Sequence, residues 1–286
     1  MKAIFTILIL LGFAKQPFCQ PITGTVLDDA TGNPLEYVSI GIINTSSGTI
    51  TNEYGKFNLI LKDLSDRDTV RISMIGYRAQ KFSLESLVNK GNLIKLFREP
   101  ILLKEIIIKP SGVFKKIGTT TYTWHGGLCG WGGTDFGKGN EIGTKIDLGS
   151  RPVRLRSLSV RLAKQSFDSS FFRLHIRDIQ NNLPNHELLN KNIIFCINKE
   201  TGWVEIDLRK YNLIFQEETV ISLEWIKVVG VNKNKLMKMN SSKQAMANVL
   251  FTIKRDQGCT FTRWGTEAKW IRHDNESPSF YLTIEQ

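Results

Sequence analysis

The sequence has few of the residues that zinc enzymes and membrane-spanning proteins require. Its four histidines include no H-E-x-x-H motif, so that ligand pattern of a zinc peptidase is missing. No Cys-x-x-Cys pair is present, which removes a common structural metal site. The one long apolar run, Ile4 to Phe13, is shorter than the roughly 20 residues of a membrane-spanning helix. We therefore predict no metal, no cofactor and no transmembrane segment in the mature chain.

Residues 1–19 have the order of regions of a secretory signal peptide. Lys2 supplies a positive charge, the apolar run follows, and Cys19 is a small residue at the predicted cleavage position. A buried N-terminal strand or helix is the alternative interpretation. The signal predicts an exported protein in the periplasm, at the outer membrane or outside the cell.

Basic residues are concentrated in the C-terminal half. Residues 20–110 hold eleven lysines and arginines against ten acidic residues, whereas residues 111–286 hold twenty-five against seventeen. An acidic partner is therefore expected to contact the C-terminal half. Nucleic acid is not expected, because the chain has an export signal and no nucleic-acid-binding motif.

Short apolar–polar alternations separated by turn residues run through the chain from Gln20, with turn signals about every 8–12 residues, which is typical of β-sandwiches. Six motifs in residues 20–110 resemble the carboxypeptidase regulatory-like domain of bacterial envelope proteins. They are Thr23-Gly24-Thr25-Val26, Thr31-Gly32-Asn33-Pro34-Leu35, Val38-Ser39-Ile40, Gly48-Thr49, Gly55-Lys56-Phe57 and Ile75-Gly76-Tyr77. The resemblance implies a seven-stranded, transthyretin-like sandwich without catalytic activity.

The rest of the chain is predicted to form a second all-β domain. Residues 111–140 are rich in glycine and indicate a connector, and strand patterns resume over residues 141–286. About eight to ten strands predict a jelly-roll-like sandwich. The order of four motifs in this half resembles an uncharacterised domain often found behind regulatory-like domains, and that resemblance implies no activity: Glu141-Ile142-Gly143-Thr144, Leu183-Pro184, Trp203-Val204-Glu205-Ile206-Asp207-Leu208 and Ser222-Leu223-Glu224-Trp225. The predicted fold class is thus all-β, with two sandwiches.

Three cysteines remain after signal cleavage, and export favours one disulfide and one free thiol. Cys129 and Cys259 both lie in glycine-rich segments flanked by tryptophan, so we predict that they pair. Cys196 lies within an apolar run and is predicted to be a buried thiol.

No motif for catalysis is complete. The segment Gly132 to Gly139 approaches a phosphate-binding loop but has glycine where Ser or Thr would bind magnesium, and no G-x-S-x-G is present. Glu205 and Asp207 share one strand face, which a solvated surface explains. We predict a protein that is not an enzyme, with a hydrolase of unrecognised site as the less favoured alternative.

Two residue clusters suggest a binding module instead. Four tryptophans near the glycine-rich segments could stack on sugar rings or, alternatively, cap the core: Trp124, Trp131, Trp264 and Trp270. Five basic side chains would line one surface suited to an acidic envelope polysaccharide, if their strands are neighbours: Arg154, Arg156, Arg173, His175 and Arg177. Solvated strand faces are the other interpretation. The alternative function is a structural or adaptor protein that docks other envelope proteins.

Overall fold

The structure is a computed structural model that describes residues 21–61, 68–88, 90–99, 112–123, 127–132, 138–238 and 245–286. Strands make up 62% of it and helices 4%, so the predicted all-β class is confirmed. None of the described helices is long and apolar enough to cross a membrane. The predicted signal peptide and Trp124 lie outside the described residues.

The described part of the first domain is a sandwich of seven strands. Its elements are β1 (Ile22–Asp28), β2 (Ser39–Ile42), β3 (Gly48–Ile50), β4 (Lys56–Leu59), β5 (Thr69–Ser73), β6 (Gln80–Ser83), α1 (Leu84–Leu87) and β7 (Gly91–Leu96). One sheet has the order β4-β1-β7 and the other β3-β2-β5-β6. Val26, Ile40 and Ile72 are fully buried between the sheets. The seven-stranded sandwich predicted from the six motifs is thus confirmed.

Two of those motifs meet at the turn that follows β1. The Asp28 carboxylate accepts hydrogen bonds from the backbone N–H of Ala30 and Thr31, which closes the turn. Its second oxygen accepts from the Tyr77 hydroxyl at 2.7 Å and from Arg98 at 2.8 Å. These hydrogen bonds hold the pKa of Asp28 well below its usual range, and the one from Tyr77 has the largest effect. Tyr77 of the Ile75-Gly76-Tyr77 motif therefore stabilises the turn that contains the Thr31-Gly32-Asn33-Pro34-Leu35 motif.

The second domain contains the remaining strands. They are β8 (Phe114–Gly118), β9 (Leu128–Gly132), β10 (Glu141–Asp147), β11 (Val153–Gln165), β12 (Phe167–Gln180), β13 (Leu183–Glu187), β14 (Ile193–Ile197), β15 (Gly202–Asp207), β16 (Ile214–Phe215), β17 (Glu218–Val231), β18 (Met237–Lys238), β19 (Ala245–Met246), β20 (Asn248–Arg263), β21 (Ile271–Pro278) and β22 (Phe280–Glu285). Two 3₁₀ turns, Arg209–Tyr211 and Lys233–Lys235, accompany them.

These strands form two layers that share one long strand. The β11 sheet contains β8, β9, β11, β15, β16 and β22, and the β12 sheet contains β10, β12, β13, β14, β17 and β21. The strand β20 pairs with β9 and β11 through its first residues, and with β10 and β21 further along. Leu158 and Val160 of β11 and Phe172 and Leu174 of β12 are buried in one core. The second sandwich is therefore also present.

In the sequence, the apolar alternation of Val153 and Leu155 changes phase at Leu158, Val160 and Leu162, which predicts a bulge near Ser157, and the structure confirms it. The register between β11 and β22 shifts between Leu155 and Ser157, as a β-bulge requires. Because of this shift, Leu155 and Leu158 both reach the core although they are three residues apart.

The glycine-rich segment at residues 111–140 is more than a connector, because it supplies strands β8 and β9 to the β11 sheet. Glycine is needed there for close approach, and not for flexibility alone. A Cβ atom on Gly130 would lie 2.1 Å from the Val249 carbonyl oxygen of β20. The segment predicted to be a connector therefore contains tightly packed strands.

The predicted disulfide is wrong in this structure, which has all three described cysteines as free thiols. Cys129 lies opposite Phe251 of β20, and Cys259 lies eight residues further along that strand. Such a stretch of strand spans on the order of 20 Å, beyond the roughly 7 Å between Cα atoms that a disulfide permits. Cys196, predicted to be buried, is exposed. Burial, with a smaller contribution from Glu276, raises the pKa of Cys129 to about 12.

Candidate functional site at the domain junction

The strand β12 carries three of the predicted site residues on one face. Its alternation sends Phe172, Leu174 and Ile176 into the core of the sandwich, so the residues between them point the other way. That opposite face is covered by the first domain, and Arg173, His175 and Arg177 are 1%, 5% and 6% exposed. Their burial requires compensating partners, since an unpaired buried charge costs several kcal/mol.

The partners come from strands distant in sequence. The Arg173 guanidinium donates to Glu224 of β17 at 2.7 Å, and Arg177 donates to Glu141 of β10 at 2.6 Å. Arg263 of β20 also donates to Glu141, through Nε at 2.9 Å. Strand β10 lies between β17 and β20, so that Glu141 faces Glu224 on one side and Arg263 on the other.

His175 lies at the centre of this network, with a carboxylate at each ring nitrogen. Its Nδ1 is 2.6 Å from Glu187, and its Nε2 is 3.0 Å from Glu224. Burial and the neighbouring Arg177 both lower the pKa of His175, but the carboxylates of Glu141 and Glu187 outweigh them, so the pKa is raised.

The carboxylates of the network are held in their charged form. Burial raises the pKa of Glu224, but Arg173 and His175 prevail and lower it to about 2. Burial likewise opposes ionisation of Glu141, and Arg177 and Arg263 lower its pKa well below the usual value. Three arginines thus face three glutamates, with His175 between them.

The network reaches across to the first domain. Arg173 donates to the Ser39 hydroxyl at 3.1 Å and to the Tyr37 carbonyl oxygen, and Ser39 in turn donates to Glu224 at 3.2 Å. A second contact joins Arg71 of β5 to Glu267 at 2.6 Å. These bonds attach the first domain to the β12 sheet.

Glycine allows this close docking. A Cβ atom on Gly41 of β2 would lie 2.4 Å from the Thr266 hydroxyl of the second domain, and 2.8 Å from a side-chain carbon of Glu267. Any larger residue at position 41 would push the two domains apart.

Beside the network, the two domains enclose an open cleft of about 430 Å³. The first domain lines it with residues of β5 and the loop that follows, including Ser73 and Tyr77, and the second with the end of β13 and the loop after β20. Trp270 lies on the second domain's wall, partly exposed. Its ring centroid is 4.8 Å from the Arg263 guanidinium and 5.4 Å from that of Arg177.

Glu141, His175 and Glu224 have ligand atoms within 4.8 Å of one another, a spacing that could hold a metal ion. The surrounding charge opposes this. Both carboxylates already accept hydrogen bonds from arginine, and the three arginines balance the three glutamates of the network. A divalent cation would have to displace these bonds, so we assign the group to ion pairing.

The structure brings together four of the nine predicted ligand residues: Arg173, His175, Arg177 and Trp270 line the cleft. Trp131 is 2% exposed and stacks against Trp225 in the core, and Trp264 is 49% exposed without lining the cleft. Arg154 and Arg156 lie on β11, which does not pair with β12, so the expected surface of five cations is wrong.

The acidic half of the network was not predicted. Glu141, Glu187 and Glu224 were not identified as site residues, although Glu224 stands in the apolar run Ile221-Ser222-Leu223-Glu224-Trp225. A charged residue within such a run indicates a buried partner. That signal could have marked Glu224 but not its partner, which depends on strand order.

Residues 22–108 match the CarboxypepD_reg-like domain family, which confirms the resemblance seen in the six motifs. No curated protein matches the chain. Among solved structures, the cysteine protease and lectin-like domains of Cwp84, a surface layer associated protein of Clostridium difficile, match with a TM-score of 0.39 and 9% identity, over 63% of this chain and 37% of that one. Infectious bursal disease virus Gt strain matches with a TM-score of 0.13 and 8% identity, over 87% and 60%. Neither likeness is close enough to inform function.

Proposed function

We propose that this protein is a non-catalytic, exported binding module that holds a glycan in the cleft between its two domains. The observation that carries the proposal is the Trp270 ring on the wall of a 430 Å³ cleft, with polar side chains of both domains around it. Clefts of about 300–1,000 Å³ accommodate small ligands, and sugar rings pack their apolar C–H faces against aromatic rings.

The polar groups of the cleft suit hydroxyl recognition. Ser73 of the first domain and Asn185 of the second offer both donors and acceptors, and Glu267 offers acceptors. The charged side chains of the cleft are paired: Arg263 with Glu141, and Arg71 with Glu267. A neutral sugar therefore fits this cleft better than an anion, which would have to compete with carboxylates for the arginines.

The lack of a catalytic role is supported by the surroundings of His175. Both of its ring nitrogens face carboxylates, so neither is available to accept a proton from a nucleophilic hydroxyl. Export is supported by the regions of residues 1–19 and by the regulatory-like domain.

The test is glycan-array screening of the mature protein, followed by calorimetry with the best ligand. Trp270→Ala should abolish binding. Asn185→Ala, which among the described residues removes only a hydrogen bond to the exposed His186, should weaken binding without affecting folding. The matched control is Trp264→Ala, since this tryptophan is exposed outside the cleft. Equal binding by all three variants would overturn the proposal. A co-purified protein that protects the cleft would favour the adaptor alternative.

A further inference from the structure

A second surface with binding character lies on the outer face of the β11 sheet. Leu158, Val160 and Leu162 of β11 point into the core, so Ser157, Ser159 and Arg161 face outward. The flanking strands add larger side chains to that face, because Arg161 lies opposite Trp203 of β15 and Ser159 lies opposite Tyr281 of β22.

Two aromatic residues make a partly exposed platform there. The ring centroids of Trp203 and Tyr281 are 5.0 Å apart, with an angle of 62° between the planes. Small residues surround the platform, since Ser159 and Gly118 are the neighbours of Tyr281 on the adjacent strands. The Ser157 hydroxyl, on a residue only 4% exposed, has no hydrogen-bond partner among the described residues and points to the same face.

The same face carries two cations that are held by aromatic rings. The Lys116 ammonium lies 5.1 Å from the Tyr281 ring centroid, and the Arg161 guanidinium lies 3.5 Å from that of Tyr122. Neither has a carboxylate within ion-pair distance in the described parts of the chain. Cations placed over aromatic rings keep donors available for an anionic group.

The charge of the face as a whole is positive. On the described strands β8, β11, β15 and β22, four outward-facing basic side chains stand against three acidic ones: Lys116, Arg154, Arg156 and Arg161 against Glu205, Asp207 and Glu285. Asp207 is already paired with Arg209 at 2.6 Å, and Glu285 with Arg156 at 3.3 Å. The balance thus favours an anionic ligand.

We propose that this face binds an anionic polysaccharide whose sugar rings stack on Trp203 and Tyr281, and whose carboxylates contact Arg161 and Lys116. The site lies on the sheet opposite to the domain junction, so it is independent of the cleft and does not rest on the function proposed for it. The acidic ligand expected from the basic C-terminal half is thereby assigned to β11 and its neighbours.

The experiment is calorimetric titration of the mature protein with polygalacturonate, and with neutral pullulan, at low and at physiological salt. We expect polygalacturonate to bind and pullulan to bind weakly or not at all. Trp203→Ala, and separately the double variant Lys116→Gln/Arg161→Gln, should each weaken binding about tenfold. Two separate variants keep the test decisive if one of them fails to fold.

The matched control is Lys56→Gln/Lys191→Gln, which removes the same charge from exposed positions elsewhere. It should leave the affinity within about twofold, and Trp270→Ala in the cleft should also leave it unchanged. An equal loss in the control would show non-specific attraction and overturn the proposal. So would the absence of polygalacturonate binding, or unchanged binding in both face variants. Loss of binding in Trp270→Ala alone would overturn it in favour of the cleft.

Discussion

The two basic clusters of the second domain have the same sequence pattern and opposite surroundings. Arg154 and Arg156 alternate along β11 as Arg173, His175 and Arg177 alternate along β12. The β12 cluster is buried at the domain junction, where acidic side chains neutralise it. The β11 pair is 24% and 28% exposed in its side chains and shares one carboxylate, Glu285. Alternation places charges on one face, but it does not decide whether that face is buried.

What differs between the clusters is what covers each sheet. The β12 face receives the first domain through Ser39 and Tyr37, so its charges lose their water and need strong partners. The β11 face has no covering domain in the described residues, and its arginines keep solvent contact. The comparison predicts large effects for substitutions in the first cluster and small ones in the second.

The largest effect is expected for Glu141→Gln, which leaves Arg177 and Arg263 buried without a full negative partner. Breaking a buried pair from one side costs about 3–5 kcal/mol, so the free energy of unfolding should fall by that amount. Urea denaturation measures it. The control is Asp207→Asn, whose pair with Arg209 is exposed and should contribute far less to stability. Equal losses in the two variants would contradict the comparison.

The second-largest loss of stability is expected when the domain junction is exposed to acid. The pKa of Glu224 is lowered to about 2 in the folded protein, from an ordinary value of 4.5. The charge of Glu224 therefore stabilises the fold at pH values above 4.5, and this stabilisation is lost as the pH falls from 4.5 towards 2. A shift of this size corresponds to about 3 kcal/mol. Urea midpoints measured from pH 6 to pH 2 should therefore fall, and the fall should be shallower in Glu224→Gln.

His175 should act in the opposite direction. The pKa of His175 is raised in the folded protein. Its contribution to the stability of the fold is therefore fully present below pH 6.5 and is lost as the pH rises through the pKa of His175 in the folded state. His175→Gln should remove this alkaline decline and leave the acid limb due to Glu224. A variant that follows the wild-type profile above pH 6.5 would show that His175 is not the responsible group.

Sequence patterns predicted the first domain well, because its signals are local. Turn residues such as Gly32 and Gly55, both at positive φ, stand between short apolar strands, and the chain spacing sets the sandwich. In the second domain the alternation of β12 and the bulge near Ser157 were also readable. These features depend on neighbouring residues only.

The ion-pair network and the cysteine positions could not be predicted from the sequence, because they depend on the order of the strands in the sheets. Glu141 and Arg177 are separated by 36 residues, and Arg173 and Ser39 by 134, so only the assembled sheets bring them together. The disulfide failed for the same reason, since Cys129 and Cys259 resemble each other in local sequence but lie far apart along β20. Tryptophan near glycine indicated a loop, whereas Trp131 belongs to a core strand.

An intermediate effect is expected for Arg173→Gln, which tests the connection between the domains. The variant loses the bond to Glu224 and the bonds to Ser39 and Tyr37 of the first domain. Breaking a buried pair from one side costs about 3–5 kcal/mol, and His175 remains beside Glu224, so a loss at the lower end, about 3 kcal/mol, is expected. Hydrogen exchange should then increase in residues near Ser39 more than in the core of the first domain. Uniform exchange throughout the chain would indicate general destabilisation instead.

The smallest effect is expected for Arg156→Gln, the counterpart of the junction arginines on the β11 face. Its guanidinium lies 3.3 Å from Glu285 and 5.7 Å from the Phe114 ring centroid, and Arg154 remains near the same carboxylate after the substitution. A partly exposed pair and an exposed cation–ring contact together contribute less than about 1 kcal/mol, and salt screens most of this. Urea midpoints at 0.05 M and 0.5 M salt should therefore differ little between the variant and the wild type. Arg177→Gln, measured in parallel, should lose several times more stability at both salt concentrations, since its partner Glu141 is inaccessible to ions. If Arg156→Gln lost as much as Arg177→Gln, the β11 arginines would be structural too, and the outer face would no longer be free to bind an anionic ligand.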